Sequence, residues 1–273
     1  MEQTKGTFKL AGKSNIEKIA EKDYGWIKKT NLSIKTLKDN FVNVTFEEKN
    51  GKGLDVNIKR KGDEKSHKVN HADVVTELKE TFDNNDMLFV LGVVDYDTYR
   101  KDFVLKPTGV YLSERDYDDD KFEETNFIEQ EFVFESFNNK KAKLYLVSYF
   151  KEVTEVEMIV DDCLVSEFEK FKTGDLLKLV FSVVNKPIYA DGESGGFTPV
   201  GRGVTHSTSK KTVSGYDSYN LVVGIANVEY GKYTRKEIRE TQEEFERRQA
   251  EYAARKENTQ TSTTEEDEEE LPF

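Results

Sequence analysis

Between Phe197 and Tyr216 the chain carries Arg202, His206, Lys210 and Lys211 and not one acid, although the whole sequence has 53 Asp and Glu against 41 Lys and Arg. Cations that no adjacent carboxylate neutralises pair with phosphate oxygens. Phe197, Tyr216 and Tyr219 offer ring faces on which a base stacks, at ~1–3 kcal/mol per base. Gly195, Gly196, Gly201, Gly203 and Gly215 would let this segment follow an irregular ligand, and Lys186 and Tyr189 open the same connection. A second set lies in the first half: Trp26 with Lys28, the run Lys59, Arg60 and Lys61, and Tyr96, Tyr99, Arg100, Lys101 and Phe103 around a hairpin. Tyr149 and Lys151, next to Tyr145 and Phe150, form an analogous set in the second half. Interleaved rings and cations suit a sequence-tolerant groove for single-stranded nucleic acid, since every base has a π-face and every nucleotide a phosphate.

Covalent chemistry has no comparable foothold, and the expectation is that the protein is not an enzyme. The sequence lacks a Gly-x-Ser-x-Gly elbow, a His-Glu-x-x-His helix, a Walker loop and the kinase motifs. Cys163, the sole cysteine, follows Asp161 and Asp162, which disfavour a thiolate; its place in an apolar helical pattern predicts a buried small residue. His67, His71 and His206 are scattered and provide no zinc constellation. Asp116, Asp118, Asp119 and Asp120 lack the spacing of a calcium loop. No cofactor or metal is expected.

The elements that must hold the rings and cations read mainly as strands. Leu32 to Phe46 alternates apolar and polar residues around Lys38-Asp39-Asn40, which predicts two strands, and Leu54 to Ile58 predicts a third. Val74, Val75, Leu78 and Phe82 recur at helical spacing between His71 and Phe82, and strands follow over Met87 to Val94 and Phe103 to Leu112. The second half repeats that order, with strands over 127–137, 143–150 and 153–160, a helix over 163–171, then strands over 176–184 and 221–228. Three strands, a helix and two strands are the makings of an OB-fold, a closed five-stranded barrel with a helix between its third and fourth strands. The layout is similar to the tandem OB-folds of replication proteins, whose fourth-to-fifth strand connection, here 186–219, often grips nucleic acid. The predicted organisation is a first OB-like domain over 1–113, an acidic linker over 114–124, a second OB-like domain over 125–233 with its long basic loop 186–219, a charged helix over 234–257 and a disordered acidic tail over 258–273.

That helix has seven acids, seven bases and no Gly or Pro over 234–257. Thr234 with Glu237 predicts a capping box, and Glu243–Arg247 and Glu244–Arg248 predict i,i+4 pairs. Ile238, Phe245 and Tyr252 fall seven apart, a stripe narrow enough to dock on a domain or to self-associate weakly.

A net charge of −12 argues at first against a polyanionic partner. The tail run Glu265 to Glu270 accounts for −6 of it and the 114–124 segment for −5, which leaves −1 on everything else. The folded parts are therefore nearly neutral, free to present local basic faces. No apolar stretch approaches the roughly 20 residues that span a bilayer, so no membrane partner is expected, and a single cysteine suits the cytoplasm.

The chain ends in six consecutive acids followed by Leu271, Pro272 and Phe273. This tip resembles the C-terminal peptide of bacterial single-stranded-DNA-binding proteins, with Glu for the usual Asp and Leu for the usual Ile, and phage-encoded binding proteins carry similar tails on dissimilar bodies. The resemblance implies that the tip recruits replication and repair proteins and competes with DNA for the protein's own surface. Together these readings predict sequence-nonspecific binding and protection of single-stranded DNA in phage replication, in a bacterial host cytoplasm. The alternatives are a recombination or strand-annealing mediator and an acidic adaptor that acts on host replication proteins without touching DNA.

Overall fold

The structure, a computed structural model, describes residues 1–36, 40–59, 62–113, 124–189, 197–200, 204–207 and 213–265. Its first half contains β1 (Gly6–Ser14), β2 (Ala20–Asp23), β3 (Ile27–Lys35), β4 (Phe41–Lys49), β5 (Lys52–Gly53), β6 (Val56–Lys59), β7 (His67–Val69), α1 (Val74–Thr81), β8 (Met87–Asp97) and β9 (Asp102–Leu112). β1 pairs with β3, β3 with β4, β4 in parallel with β9, β9 with β8, and β8 with β1 again. The ring is closed.

The second half runs β10 (Asn126–Asn138), β11 (Lys141–Val147), β12 (Val153–Val160), α2 (Val165–Phe168), β13 (Leu176–Tyr189), β14 (Phe197–Val200), β15 (Val204–Ser207) and β16 (Val213–Glu229). Here β10 pairs with β11, β11 with β12, β12 in parallel with β16, β16 with β13, and β13 with β10. Both halves thus close the same five-stranded ring with a helix between the third and fourth strands and a parallel pairing of the third with the fifth. The chain is mainly β, two OB-fold barrels in tandem.

The first barrel reaches this order by a different route from the one its sequence predicts. Its first strand is β1, which the periodicity misses because Lys9, Gly12 and Lys13 interrupt the short apolar pattern of Phe8, Leu10 and Ala11. The run at 54–58 corresponds to β6, which belongs instead to a small addition: β6 pairs with β7 and lies in parallel beside β9. Gly12 is required where β1 passes β3, since a Cβ there would collide with the Lys35 carbonyl oxygen.

β1 also joins the barrels. Gly6 to Leu10 pair antiparallel with Gln130 to Asn126 of β10. Ahead of β1, the Thr4 amide donates to the Val147 carbonyl at 3.0 Å and the Glu131 amide to the Lys5 carbonyl at 3.0 Å. Behind this seam the two interiors touch: the Phe103 ring lies 4.9 Å from that of Phe181 and 6.2 Å from that of Phe132, and Tyr96 packs edge-on against Phe103 at 5.2 Å. Residues 114–123 of the expected linker lie outside the described residues.

α3 (Arg235–Glu265) extends past the expected end at 257, through the polar spacer to the first acid of the tail run. The capping box forms as the sequence predicts: the Glu237 amide donates to Thr234 Oγ1 at 3.2 Å, and the Thr234 amide to Glu237 Oε2 at 2.7 Å. Arg248 pairs with Glu244 as predicted, whereas Arg247 chooses Glu244 over Glu243. Ile238 is buried with Tyr233 and Val133, so the start of the helix docks on the second barrel, while Tyr252 further along is exposed. Gly174 fixes that docking, with φ at +98° and its carbonyl accepting from the Tyr233 amide at 2.9 Å. Cys163 is exposed rather than buried, because its helical pattern shortens to a 3-10 turn over Asp162–Leu164 ahead of α2.

Candidate nucleic-acid interface

At the start of β3 the chain turns through Gly25, whose φ is +81° and whose amide donates to Asp23 Oδ1 at 2.8 Å. Trp26 follows, its carbonyl held by the Asn50 amide at 2.9 Å, and its side chain is 62% exposed. A large ring bare to solvent offers a face on which a base can stack. Lys28 is exposed two residues on, its strand neighbours being Asp23 and Glu48.

The β8–β9 hairpin is tied to β3 by a side-chain contact between Lys29 and Asp97 at 3.8 Å. Asp97 Oδ1 accepts from the amides of Tyr99 at 3.1 Å and Arg100 at 3.0 Å, which fixes the tip, and Lys101 closes it with φ at +56°. Tyr99 is 95% exposed, and Arg100 and Lys101 are exposed beside it.

Two residues expected to contact a ligand from this hairpin do not reach the surface. Phe103 is 8% exposed, part of the core that joins the barrels. Tyr96 is half-buried against it; burial, and then the carboxylates of Asp102 and Asp97, push its phenol pKa up. Strand alternation sends Tyr96 and Phe103 inward as cross-strand partners, whereas the tip between them points to water.

A groove of about 1350 Å³ leads from this mouth of the first barrel to the second barrel, lined by Lys28, Val93, Lys106, Gln130, Tyr149 and Phe150 among others. An ion-pair network lies along it. Lys106 Nζ is 2.6 Å from both Glu47 Oε2 and Asp95 Oδ2, and Lys29 Nζ is 3.0 Å from Glu47 Oε1. Burial pushes the Glu47 carboxyl up, but the hydrogen bonds and charges of Lys106 and Lys29 outweigh it and hold its pKa below the ordinary value. Burial likewise works against the Lys106 ammonium, yet its bonds to Asp95 and Glu47 leave its pKa raised. At the far end, Lys151 donates from Nζ to the Met1 carbonyl at 2.9 Å and is half-exposed.

The remaining predicted residues lie elsewhere. β13 and β16 extend past the second barrel as a two-stranded ribbon, so 186–189 and 213–219, expected within a loop, are strand. The ribbon departs beside the β3–β4 turn, where the Asn185 amide donates to Asn40 Oδ1 at 2.6 Å. That turn is at the opposite end of the nine-residue β3 from Trp26, ~30 Å away at the rise of an extended strand. Lys186 faces Asp217 across the ribbon. Tyr216 is exposed opposite Pro187, while Tyr219 is half-buried opposite Val184. Residues three apart on a strand point to opposite faces, so these two tyrosines do not form one stacking surface. Tyr189 and Phe197 fall on strands, the latter in the β14–β15 hairpin. Lys59 is half-exposed and pairs with Tyr111, at the end of β9 away from the Tyr99 tip. Arg60, Lys61, Arg202, Lys210, Lys211, Leu271, Pro272 and Phe273 lie outside the described residues.

The structure adds ring surface that the predicted set omits. Tyr24 is exposed next to the Gly25 turn. Phe150, which the sequence already sets beside Tyr149, packs edge-on to it at 5.3 Å with both rings largely bare. An aromatic on each side of the glycine, Tyr24-Gly25-Trp26, was the available signal for Tyr24. Among the described residues, no group of three or more His, Cys, Asp and Glu is placed to hold a metal ion.

The fold is similar to that of a single-stranded-DNA-binding protein. A crystal structure of a deletion and point mutant of that protein from Thermus aquaticus matches at 12% identity over 68% of this chain and 89% of that one, with a TM-score of 0.37. The wild-type Thermus aquaticus protein matches at 12% identity over 72% and 97%, with a TM-score of 0.32. At these scores the likeness carries no argument about this chain, and the OB-fold assignment rests on the strand order itself. No protein-family model matches the sequence, and no curated protein does.

Proposed function

We propose that the protein binds single-stranded DNA without base specificity, at the mouth of the first barrel, and is not an enzyme. The observation that carries this reading is the exposure of two rings, Trp26 and Tyr99, each close in sequence to cations, Lys28 and Arg100 with Lys101, on two elements tied together by Lys29 and Asp97. Bare rings offer faces on which bases stack, and cations beside them meet the phosphates that connect the bases. The ribbon supplies a second contact through Lys186 and Tyr216, continued by Arg202, Lys210 and Lys211. The acidic tip would recruit replication and repair proteins through Leu271, Pro272 and Phe273, in phage DNA replication within a bacterial cytoplasm.

Trp26 is the chain's sole tryptophan, so its fluorescence reports on the proposed face directly. Titration with oligo-dT at low salt is expected to quench it, with affinity falling as salt rises. Absence of binding at low salt, where counterion release favours it most, sinks the reading. Removing Leu271 to Phe273 is expected to abolish capture of replication partners and leave DNA affinity equal or higher; a clear fall in DNA affinity contradicts the tail's assignment.

A further inference from the structure

We infer that Tyr149 and Phe150 form a stacking platform for bases at the far end of the groove between the barrels. This rests on the single-stranded-DNA reading and specifies the path of the strand beyond the first barrel's mouth.

Three observations carry it. Around Glu47 the cations are engaged: Lys106 lies between Glu47 and Asp95, Lys29 binds Glu47, and Lys49 lies 3.8 Å from Glu47. A phosphate there would meet paired lysines beside carboxylates that repel it, whereas Lys5, Lys28, Lys52 and Lys79 also line the groove and suit the phosphates between stacked bases. The uncharged surface is bare: Tyr149 is 73% and Phe150 74% exposed, and Val93 and Leu54 are exposed along the walls. The aromatic pair is also pre-set. Its turn is closed by the Ser148 amide donating to the Glu152 carbonyl at 2.9 Å, the Lys151 amide to the Ser148 carbonyl at 3.0 Å and the Glu152 amide to Ser148 Oγ at 3.1 Å, with Lys151 at φ +68°.

The rings meet edge to face at 83°, so each leaves a face open for a base. Lys28, two residues from Trp26, lines the groove, so the first barrel's mouth adjoins it. A planar, neutral base suits such a channel; a charged peptide would have to displace the ion pairs.

The test uses the full chain and oligo-dT of graded length. Replacing both rings, Tyr149→Ala with Phe150→Ala, is expected to weaken binding of long oligonucleotides by about 5- to 150-fold, the worth of one stacked base. Short oligonucleotides that fill only the first barrel's mouth should bind as before. The dependence of log affinity on log salt should keep its slope, because no phosphate contact is removed. Equal binding of long oligonucleotides by variant and wild type overturns the inference while leaving the DNA reading intact, and so does a shallower salt slope. Failure of the wild type to bind any oligonucleotide removes both.

A second variant, Phe150→Trp with Trp26→Phe, places the only tryptophan in the groove. Its emission is expected to respond to long oligonucleotides alone. A shift that follows protein concentration without DNA would mean a second copy covers the pair. A response to an added acidic, Phe-ended peptide in place of DNA would mean a peptide site. Either result overturns the proposal.

Discussion

The fourth-to-fifth strand connection occupies the same topological slot in both barrels and is built in two opposite ways. In the first barrel it is the short tip between Asp97 and Asp102, held by an aspartate that caps the amides of Tyr99 and Arg100. In the second it is a ribbon that carries β13 and β16 well past the barrel, with a separate β14–β15 hairpin between them. The tip presents one ring and two cations on a fixed backbone turn, tied to β3 through Lys29 and Asp97. The ribbon carries Lys186 at the other end of β3. One fold therefore offers a preorganised contact in one copy and an extended contact in the other, and the two are expected to contribute differently to affinity, stacking dominating at the tip and charge on the ribbon.

The sharpest break of that contrast lies within the first hairpin itself. Phe103→Ala removes a ring from the core that joins the barrels and is expected to cost about 3–5 kcal/mol of stability, whereas Tyr99→Ala, four residues away, should stay within about 0.5 kcal/mol. Thermal or denaturant unfolding distinguishes them; comparable losses would mean that the tip ring is structural. Tyr99→Ala should instead weaken oligo-dT binding by ~1–3 kcal/mol.

Shortening the ribbon tests the second device. Replacing residues 190–212 with an Asn-Gly turn between Tyr189 and Val213 is expected to leave the melting transition in place. It should reduce the magnitude of the log affinity against log salt slope by about 2, at roughly 0.7 for each of the three lost cations Arg202, Lys210 and Lys211. An unchanged slope would leave the ribbon with no part in phosphate binding, and the comparison would then reduce to the tip alone.

A smaller effect concerns the network between the barrels. The pKa of Glu47 in the folded state lies below its ordinary 4.5, so on acidification the unfolded chain takes up the proton first. The stabilisation is complete above about 4.5 and is lost as pH falls through the depressed folded value. Glu47→Gln is expected to lower stability at neutral pH by about 1 kcal/mol, the net worth of a typical intramolecular hydrogen bond, and to flatten the acid limb of the stability profile. An acid limb identical to that of the wild type contradicts the assignment.

The second barrel was the more legible half. Its five strands and short helix appear in the predicted order, and β10 and β12 lie close to the predicted boundaries because apolar residues recur throughout each run, whereas β13 and β16 run on into the ribbon where the sequence predicts a loop. The first barrel yielded the right strand order from the wrong strands: β1 escaped notice and β6 took its place in the count. The reason is physical, since β1 is shared among three partners, β3, β8 and β10, and needs glycine where it passes β3, which removes the alternation that marks an ordinary strand. At the interface, the exposed tip of Tyr99, Arg100 and Lys101 was readable from its residue types. Local pattern did not reveal that Phe103 and Tyr96 face inward, that Tyr216 and Tyr219 point apart, or that Lys106 is held by Glu47 and Asp95. Those facts depend on register between distant strands, which composition does not carry.

The seam between β1 and β10 bears on how the chain is made. During synthesis the first barrel can close as soon as β9 has emerged, but Gly6 to Leu10 then expose backbone donors and acceptors along one side. Their partner, β10, begins only at Asn126. An unpaired strand edge is a template for a second chain, and domains that fold as they emerge pass through such exposed states. The nascent protein therefore spends the interval between β9 and β10 with a sticky margin, and its risk of misassembly is concentrated in the time the ribosome takes to translate the acidic segment in between.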